Sequence, residues 1–399
     1  MTAHTDNLLR PSPCGANSPP IMVVNGWLTG LELAVFKRLA RQEFCSDTHR
    51  RQYRSKGEAL CQDLRHHDIL NPVAEERQGP VLYEVGVPLI SPITVARSEV
   101  PPDIKGRLQL FMRPAAGAFL LQWAITWVVI VGSIWCAEYL HRPWATLLAI
   151  FIVAARQNLL ALLMHEQTHW LASRSKWAEY FCELLIAYPL LVTLEGYRRV
   201  HLSHHSGYFT DNDPDYVRKQ GRVWTFPQQP AYFFSELLRD LCGLSVWKTL
   251  KSKAVSESTS LVKAGFYPPR WLRPAFFAAL ILGLTLTHMW KIYLIYWLLP
   301  LLTIMQLFIK WGAISEHKYN LVHPSVEESS PLIELRWWER LLFPNLNFTL
   351  HIYHHWYPTI PASRLPEVHK LFRKAGLVDD RYVFHGYGAY LRSLVILKP

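Results

Sequence analysis

The chain has 399 residues, half of them hydrophobic, with 16 tryptophans and a formal net charge of +11. That length allows two or three soluble domains, but the apolar residues bunch in the middle of the chain, which excludes an ordinary soluble protein and predicts a polytopic membrane protein with polar flanks. The basic residues sit beside apolar spans, where a cytoplasmic bias is expected, so the charge indicates a membrane surface and no nucleic acid. The six cysteines (Cys14, Cys45, Cys61, Cys136, Cys182 and Cys242) form no close pair, which excludes a disulfide framework and fits a reducing compartment.

Residues 1–110 are polar and mixed. The opening, Met1 to Pro20, has prolines and small residues but no basic segment leading into an apolar core, so it does not read as a signal peptide. From Gly30 to about Leu64 the pattern is helical and basic, read either as an amphipathic segment near the membrane or as a solvated packing helix. Val81 to Val95, with Pro88 and Pro92, reads as extended. The first apolar run, Ala115 to Leu140, is long enough to cross a hydrocarbon core of roughly 30 Å at about 1.5 Å per residue. A turn at His141-Arg142-Pro143 leads into a second span, 144–164. It contains Arg156, Gln157 and Asn158, and polar groups inside a span usually face a site or cavity.

Residues 176–195 are apolar but hold Glu179, Glu183, Pro189 and Glu195, and read as a hairpin at the interface rather than a span. Residues 206–271 are polar and basic. Two more spans, 274–289 and 292–310, follow, and the chain is polar and aromatic from Lys310 on. The turns inside the two span pairs carry only Arg142 and Lys291, which places the N-terminal, central and C-terminal segments in the cytoplasm. The expectation is an all-α, polytopic membrane protein of four transmembrane helices in two hairpins, with a cytoplasmic helical cap. Its divisions are a cytoplasmic N-terminal region (1–110), a membrane catalytic domain (111–375) and a cytoplasmic tail (376–399).

Three stretches carry the chemistry: His165-Glu166-Gln167-Thr168-His169, His201-Leu202-Ser203-His204-His205 and His351-Ile352-Tyr353-His354-His355. Positions i and i+3 or i+4 share a helix face, so each box can present two or three imidazoles to one point. Imidazole suits iron, zinc, copper and nickel. Eight histidines exceed the four ligands of one zinc, so two metals are expected. His317, beside Glu316 just past the fourth span, can reach the same site. All nine fall on the cytoplasmic side. Histidine at a bilayer edge is costly unless satisfied, and metal coordination satisfies many at once.

Other chemistries fit parts of this pattern. His165-Glu166-x-x-His169 is also the H-E-x-x-H pattern of a zinc metalloprotease, which leaves both H-x-x-H-H boxes and His317 without a purpose. Paired histidines can ligate haem, but the i, i+3, i+4 triplets favour a compact polynuclear site. A transporter would place its ligands nearer the bilayer midplane.

The three boxes in this order, with a span pair between the second and third, resemble the membrane fatty-acid desaturase and hydroxylase superfamily. The surroundings strengthen the resemblance: Arg198-Arg199 before the second box, Asp213-Pro214-Asp215 after it, Asn347 before the third box, and Trp356-Tyr357-Pro358-x-x-Pro361 with Leu365-Pro366 beyond it. The resemblance covers roughly residues 110–375. It implies a non-haem di-iron centre held by His165, His169, His201, His204, His205, His317, His351, His354 and His355. Glu166, Asp213, Asp215, Glu316 and Asn347 would orient imidazoles or bind water; their other reading is local capping and turn chemistry. Iron with dioxygen as co-substrate can attack an unactivated C–H bond that acid–base side chains cannot. The implied activity is desaturation of a fatty-acyl or other lipid chain, with hydroxylation or ketolation of acyl, alkane-like or carotenoid substrates as the alternative. The sequence has no H-P-G-G haem motif, four-cysteine ferredoxin pattern or Gly-rich dinucleotide fingerprint, so a separate ferredoxin or cytochrome b5 with its reductase is the expected electron donor.

Overall fold

The computed structural model describes residues 91–246 and 266–396. The amphipathic segment expected at 30–64 lies outside them. The described chain is mostly helical. Its first helix, α1 (Pro102–Gln109), starts with proline at its first turn, where no amide hydrogen is needed. Ile93, just before it, makes an isolated antiparallel bridge to Val378.

Two long apolar helices follow, α2 (Ala116–Leu140) and α3 (Pro143–Thr168). His141 adopts a left-handed conformation at the end of α2, φ 50°, and Pro143 opens α3, so a two-residue turn reverses the chain. Small residues on both helices (Ala137, Ala145 and Ala149) are buried at the turn end and let the backbones approach closely. After the short α4 (Lys176–Cys182), a π-helical turn over Glu183–Ala187 carries the chain to a reversal at Leu191, where φ is +63°. The apolar segment 176–195 therefore contains no helix long enough to cross a membrane.

Helix α5 (Leu194–Ser206) carries the second box and α6 (Pro214–Arg218) follows it. Helices α7 (Pro230–Leu241), α8 (Leu272–Leu286) and α9 (Trp290–Glu316) complete the apolar part. Among the described residues, three helices are long and apolar enough to cross a membrane: α2, α3 and α9. Helix α8, at the position of the expected third span, has 15 residues, about 22 Å at the helical rise. Helix α9 is interrupted by a π-helical turn at Leu294–Leu298 and a break at Thr303, with φ −123° and ψ −90°.

Polar groups within these helices answer to backbone that the interruptions free. The Gln157 amide of α3 donates to the Trp297 carbonyl in the π-helical turn at 2.8 Å, and Trp127 of α2 stacks on the Trp297 ring at 5.3 Å. The Tyr296 hydroxyl donates to Glu138 at 2.7 Å. Asn158 donates to the Pro344 carbonyl at 3.2 Å, tying α3 to the cap. Non-helical hydrogen bonding at membrane depth is tolerated only when other groups satisfy it in this way.

The remaining chain packs against the end of α3 that bears the first box and the end of α9 that leads to His317. It comprises β1 (Leu332–Glu334), α10 (Trp337–Leu342), α11 (His351–Trp356) with the third box, α12 (Leu365–Lys374), β2 (Val383–His385) and α13 (Tyr387–Leu394). Strands β1 and β2 pair in parallel, Leu332 opposite Val383 and Glu334 opposite His385. They are the one sheet among the described residues of a chain expected to be all-α. Residues 376–396, expected as a tail, are packed: Leu377 and Val383 join the core beneath the third box, and Tyr387, Tyr390 and Leu394 pack with Phe233 and Ile314.

The third box is held from below by Phe372 of α12. It is fully buried and contacts Tyr353 at 4.9 Å and Trp356 at 6.1 Å between ring centroids. Phe372→Ala is expected to destabilise the fold by about 3–5 kcal/mol. A thermal unfolding midpoint unchanged from wild type in detergent micelles would contradict this packing.

Candidate metal centre

The first box closes α3. His165 lies in its last turn, and His169 follows as the residue where the helix stops. The second box lies on α5, whose first turn is capped by the Thr193 hydroxyl accepting the Gly196 amide at 3.1 Å. The third box begins α11 directly after a 3-10 turn that starts from Asn347 in the left-handed region, φ 64°. His317 leaves the end of α9 in an extended conformation. All nine histidines are brought together; seven are buried, and His169 and His205 are nearly so.

They separate into two groups. His165, His169, His201 and His354 place one ring nitrogen each within 4.8 Å of the others, and so do His204, His317 and His355. His205 joins the first group, its Nε2 standing 3.0 Å from that of His201 and 3.1 Å from that of His354. His351 joins the second through a 3.1 Å approach to His355 Nε2. Neither H-x-x-H-H box serves a single point. In the second box, i and i+4 (His201, His205) turn to the first group and i+3 (His204) to the second. In the third box the i, i+4 pair (His351, His355) joins the second group and His354 the first.

The donor set fits metal cations. In the second group His204, His317 and His355 bring their Nε2 atoms within 3.2–3.3 Å of one another. His204 Nδ1 lies 2.7 Å from an Asp213 carboxylate oxygen, and His317 Nδ1 lies 3.0 Å from the Ser330 hydroxyl and 3.1 Å from that of Tyr208. A neutral imidazole has one N–H. With that proton at Nδ1, lone pairs converge at Nε2, which is repulsive without a cation. Two nitrogens each about 2.0–2.1 Å from one ion stand about 2.9–3.4 Å apart, the range seen here. In the first group, neither ring nitrogen of His165 has a hydrogen-bond partner, although both are buried. Buried polar atoms are rarely left so.

Most of these imidazoles are held against protonation. Burial, followed by mutual repulsion, lowers His201, His205, His351, His354 and His355 well below the ordinary value of 6.5. Burial and the neighbouring His204 do the same for His317. Burial and the nearby Arg198 guanidinium bring His169 down to about 3.

The five surrounding polar residues differ in what they reach. Asp213 touches an imidazole, and its carboxylate also accepts the amides of Phe209, Asp215 and Tyr216. Glu166 accepts the Ala362 amide at 3.0 Å, fastening the first box to the loop after the third, and its other oxygen has no partner. Asp215 lies outside the histidine shell. Burial pushes its carboxyl up, but Lys219 and Arg218 outweigh this and hold it below its ordinary value. Glu316 has no hydrogen bond to a box histidine among the described residues. Asn347 donates to the Ala362 carbonyl at 3.1 Å and accepts from Arg340, so it shapes the turn into the third box.

The structure adds residues that spacing could not nominate. Arg198, 1% exposed, is held by both Glu179 oxygens at 2.8 and 2.9 Å and donates to the carbonyls of Gln167 and Thr168. Gln167 also donates to Glu179 at 2.8 Å. This network ties α3, α4 and α5 together immediately before His169. Ser330 and Tyr208 were legible only as polar residues, because their partner His317 is distant in sequence.

The fatty acid desaturase family model matches residues 142–387, which include all nine histidines of the two groups. The chain belongs to the fatty acid desaturase family. Among characterised proteins it is similar to dihydrorhizobitoxine desaturase of Bradyrhizobium elkanii, 26% identical over 251 residues that cover 57% of this chain and 68% of that one. Family membership makes the protein an oxidoreductase, and its two histidine groups could each hold a metal ion.

Two outcomes follow for this oxidoreductase. Asp213→Ala removes the acceptor on His204 and three turn amides, and is expected to weaken metal binding about 10–100-fold, read by competition with a chelator. In the metal-free protein, unfolded imidazoles take up protons near pH 6.5 while the buried ones stay neutral. The unfolded state therefore gains protons as pH falls through 6.5, and stability drops by up to about 1.4 kcal/mol per pH unit for each such histidine. The apo-protein should melt at lower temperature at pH 5.5 than at pH 7.5; equal midpoints would contradict the buried, neutral cluster.

Proposed function

We propose that this protein is a multi-pass membrane oxidoreductase that uses two iron ions and dioxygen to desaturate a fatty-acyl or other lipid chain. The reading is carried by the two facing groups of converging imidazoles, supported by the family match. His165, His169, His201, His205 and His354 would hold one iron, and His204, His317, His351 and His355 the other. Iron bound there, with dioxygen and two electrons, supplies the oxidising power to remove hydrogen from an unactivated methylene.

The protein's own part is placement and exclusion of water. Asp213 keeps the Nδ1 proton of His204 engaged, so its Nε2 lone pair faces inward. Ser330 and Tyr208 do this for His317. Phe348 packs edge-on against His165 at 4.4 Å and against His354 at 5.3 Å, and Tyr197 stacks over His201 at 5.8 Å between ring centroids. These rings give the first group an apolar wall, the surface an aliphatic substrate needs. Glu166, Glu316 and Asp215 would act on bound water or on imidazoles through intervening groups.

We assign four transmembrane helices in two hairpins, α2–α3 and α8–α9, with α8 as the short member. The charge bias of the loops supports a cytoplasmic position for both termini and for the cap with its histidines. The catalytic unit is residues 111–375, extended by the packed segment through 396. An external donor of ferredoxin or cytochrome b5 type, with its reductase, would supply the electrons. The similar Bradyrhizobium protein is named for dihydrorhizobitoxine, which makes that compound a second candidate substrate here. Hydroxylation or ketolation within the same superfamily is the second outcome of the same chemistry. The zinc-protease pattern in the first box uses only the first histidine group.

Metal analysis of protein purified from iron-replete cells is expected to give two irons per chain; one zinc per chain with peptide cleavage would sink the proposal. His204→Ala should abolish oxygen-dependent turnover, whereas a protease centred on His165 and His169 would survive it. Lipid profiling of cells with and without the gene should show a new double bond, and a new hydroxyl or keto group would select the alternative.

A further inference from the structure

Helix α7 has its polarity reversed for a protein in water. Its buried side holds Phe233, Glu236 and Asp240. Its outward side, at i, i+4 and i+7, holds Phe234, Leu238 and Leu241, which are 55%, 60% and 39% exposed, and Leu244 continues it at 47%. A helix of a soluble domain turns such a stripe to the core and its acids to solvent. Here both acids point into the protein. Asp240 meets Lys310 of α9 at 2.8 Å, with both side chains buried. Glu236 is reached by Arg239 at 3.0 Å from the outer edge.

The neighbours of α7 supply the reason. Lys310 belongs to α9, one of the three helices able to cross a membrane. Beyond α7 the chain runs beside α9 towards the middle of that span. A Cβ at Gly243, where φ is +73°, would stand 3.0 Å from the Leu302 carbonyl oxygen. Leu302 and Lys310 are eight positions apart, on either side of the break at Thr303. At the same end of the spans, Trp271 is exposed before α8 and Arg273 donates to the Leu191 carbonyl at 3.3 Å, beside the exposed Leu191 and Val192. Aromatic and basic residues anchor at the edge of a bilayer in this way. Helix α7 packs against α9, whose outward side is also apolar, with Leu299 and Ile309 46% and 45% exposed.

We propose that α7 and the turn after it, residues 230–244, lie in the bilayer rather than in the aqueous cap, with Phe234, Leu238, Leu241 and Leu244 against lipid acyl chains. The Asp240–Lys310 pair is then an inward-facing ion pair that lets the helix present an uncharged face to hydrocarbon. This moves α7 out of the polar cytoplasmic segment 206–271 in which its sequence position places it. The inference is independent of the metal chemistry.

The test uses the wild-type, full-length protein in phosphatidylcholine liposomes doped with a phosphatidylcholine bearing an acyl-chain diazirine. After irradiation, adducts are mapped by mass spectrometry. Adducts are expected on Phe234, Leu238 and Leu241 at yields matching the exposed Val128 and Val131 of α2, and not on Phe233, Glu236 or Asp240. Labelling of Val128 and Val131 with none on 230–244 would overturn the proposal, because water or another part of the protein would then cover the stripe. Hydroxyl-radical footprinting in the same liposomes separates those two cases: oxidation of Phe234 and Leu238 shows a face in water, and protection without lipid adducts shows one covered by protein.

Discussion

Nine imidazoles crowded at the end of a helical bundle are an electrostatic problem on which the rest of the structure depends. Nitrogen atoms approach to 2.8 Å between His169 and His201 and to 3.2 Å between His204 and His317. A proton shared between two rings can relieve one such pair, but not three that meet at a point. Protonating the cluster is no escape, because burial and mutual repulsion both oppose charge on these rings. The arrangement is favourable with cations between the nitrogens. Without them it persists only because surrounding packing over-determines it, a cost usual for functional sites. Phe372 beneath α11, Asp213 behind His204 and the Arg198 network behind His169 all serve that purpose.

The partition of the boxes follows from helix geometry. Residues i and i+4 differ by about 40° around a helix and i+3 by about 60° in the other sense, so a triplet straddles roughly 100° of surface. A helix facing one ion would aim all three inward, whereas a helix between two ions can divide them. Helices α5 and α11 both take the second option, with opposite assignments of the i, i+4 pair. The H-x-x-H-H spacing is thus a device for bridging two centres. Its use on two helices gives each group contributions from both.

Much of this was legible in the sequence and some was not, for physical reasons. The boxes and His317 could be found because periodicity reports which residues share a face and because histidine is rare beside apolar spans. The α2–α3 turn was visible in His141-Arg142-Pro143. The side of α5 on which each histidine falls was not, since it depends on where α3 and α11 pack against it. Ser330 and Tyr208 were hidden because their partner His317 is brought to them by tertiary structure. The packed segment 376–396 looked like a tail because its strand has three residues and its apolar side chains are spaced by aromatics. Helix α7 was obscured by the basic residues around it; only the inward direction of Asp240 and Glu236 reveals its polarity.

The Arg198–Glu179 pair shows why such a site is built from expensive parts. Desolvating a guanidinium and a carboxylate costs several kcal/mol each, and well-packed apolar residues in their place are often as stable. Stability alone does not account for the pair. Its geometry does: one guanidinium spans both oxygens of Glu179 and still reaches two carbonyls at the end of α3, which no apolar side chain or lysine can imitate. Those carbonyls belong to Gln167 and Thr168, where the helix stops and His169 begins. Holding them sets the direction in which His169 leaves the helix, and so its approach to His201. The buried ion pair exchanges folding energy for a defined position of one imidazole, and a centre assembled from four separate backbone segments would lose its geometry first at any helix end left without such support.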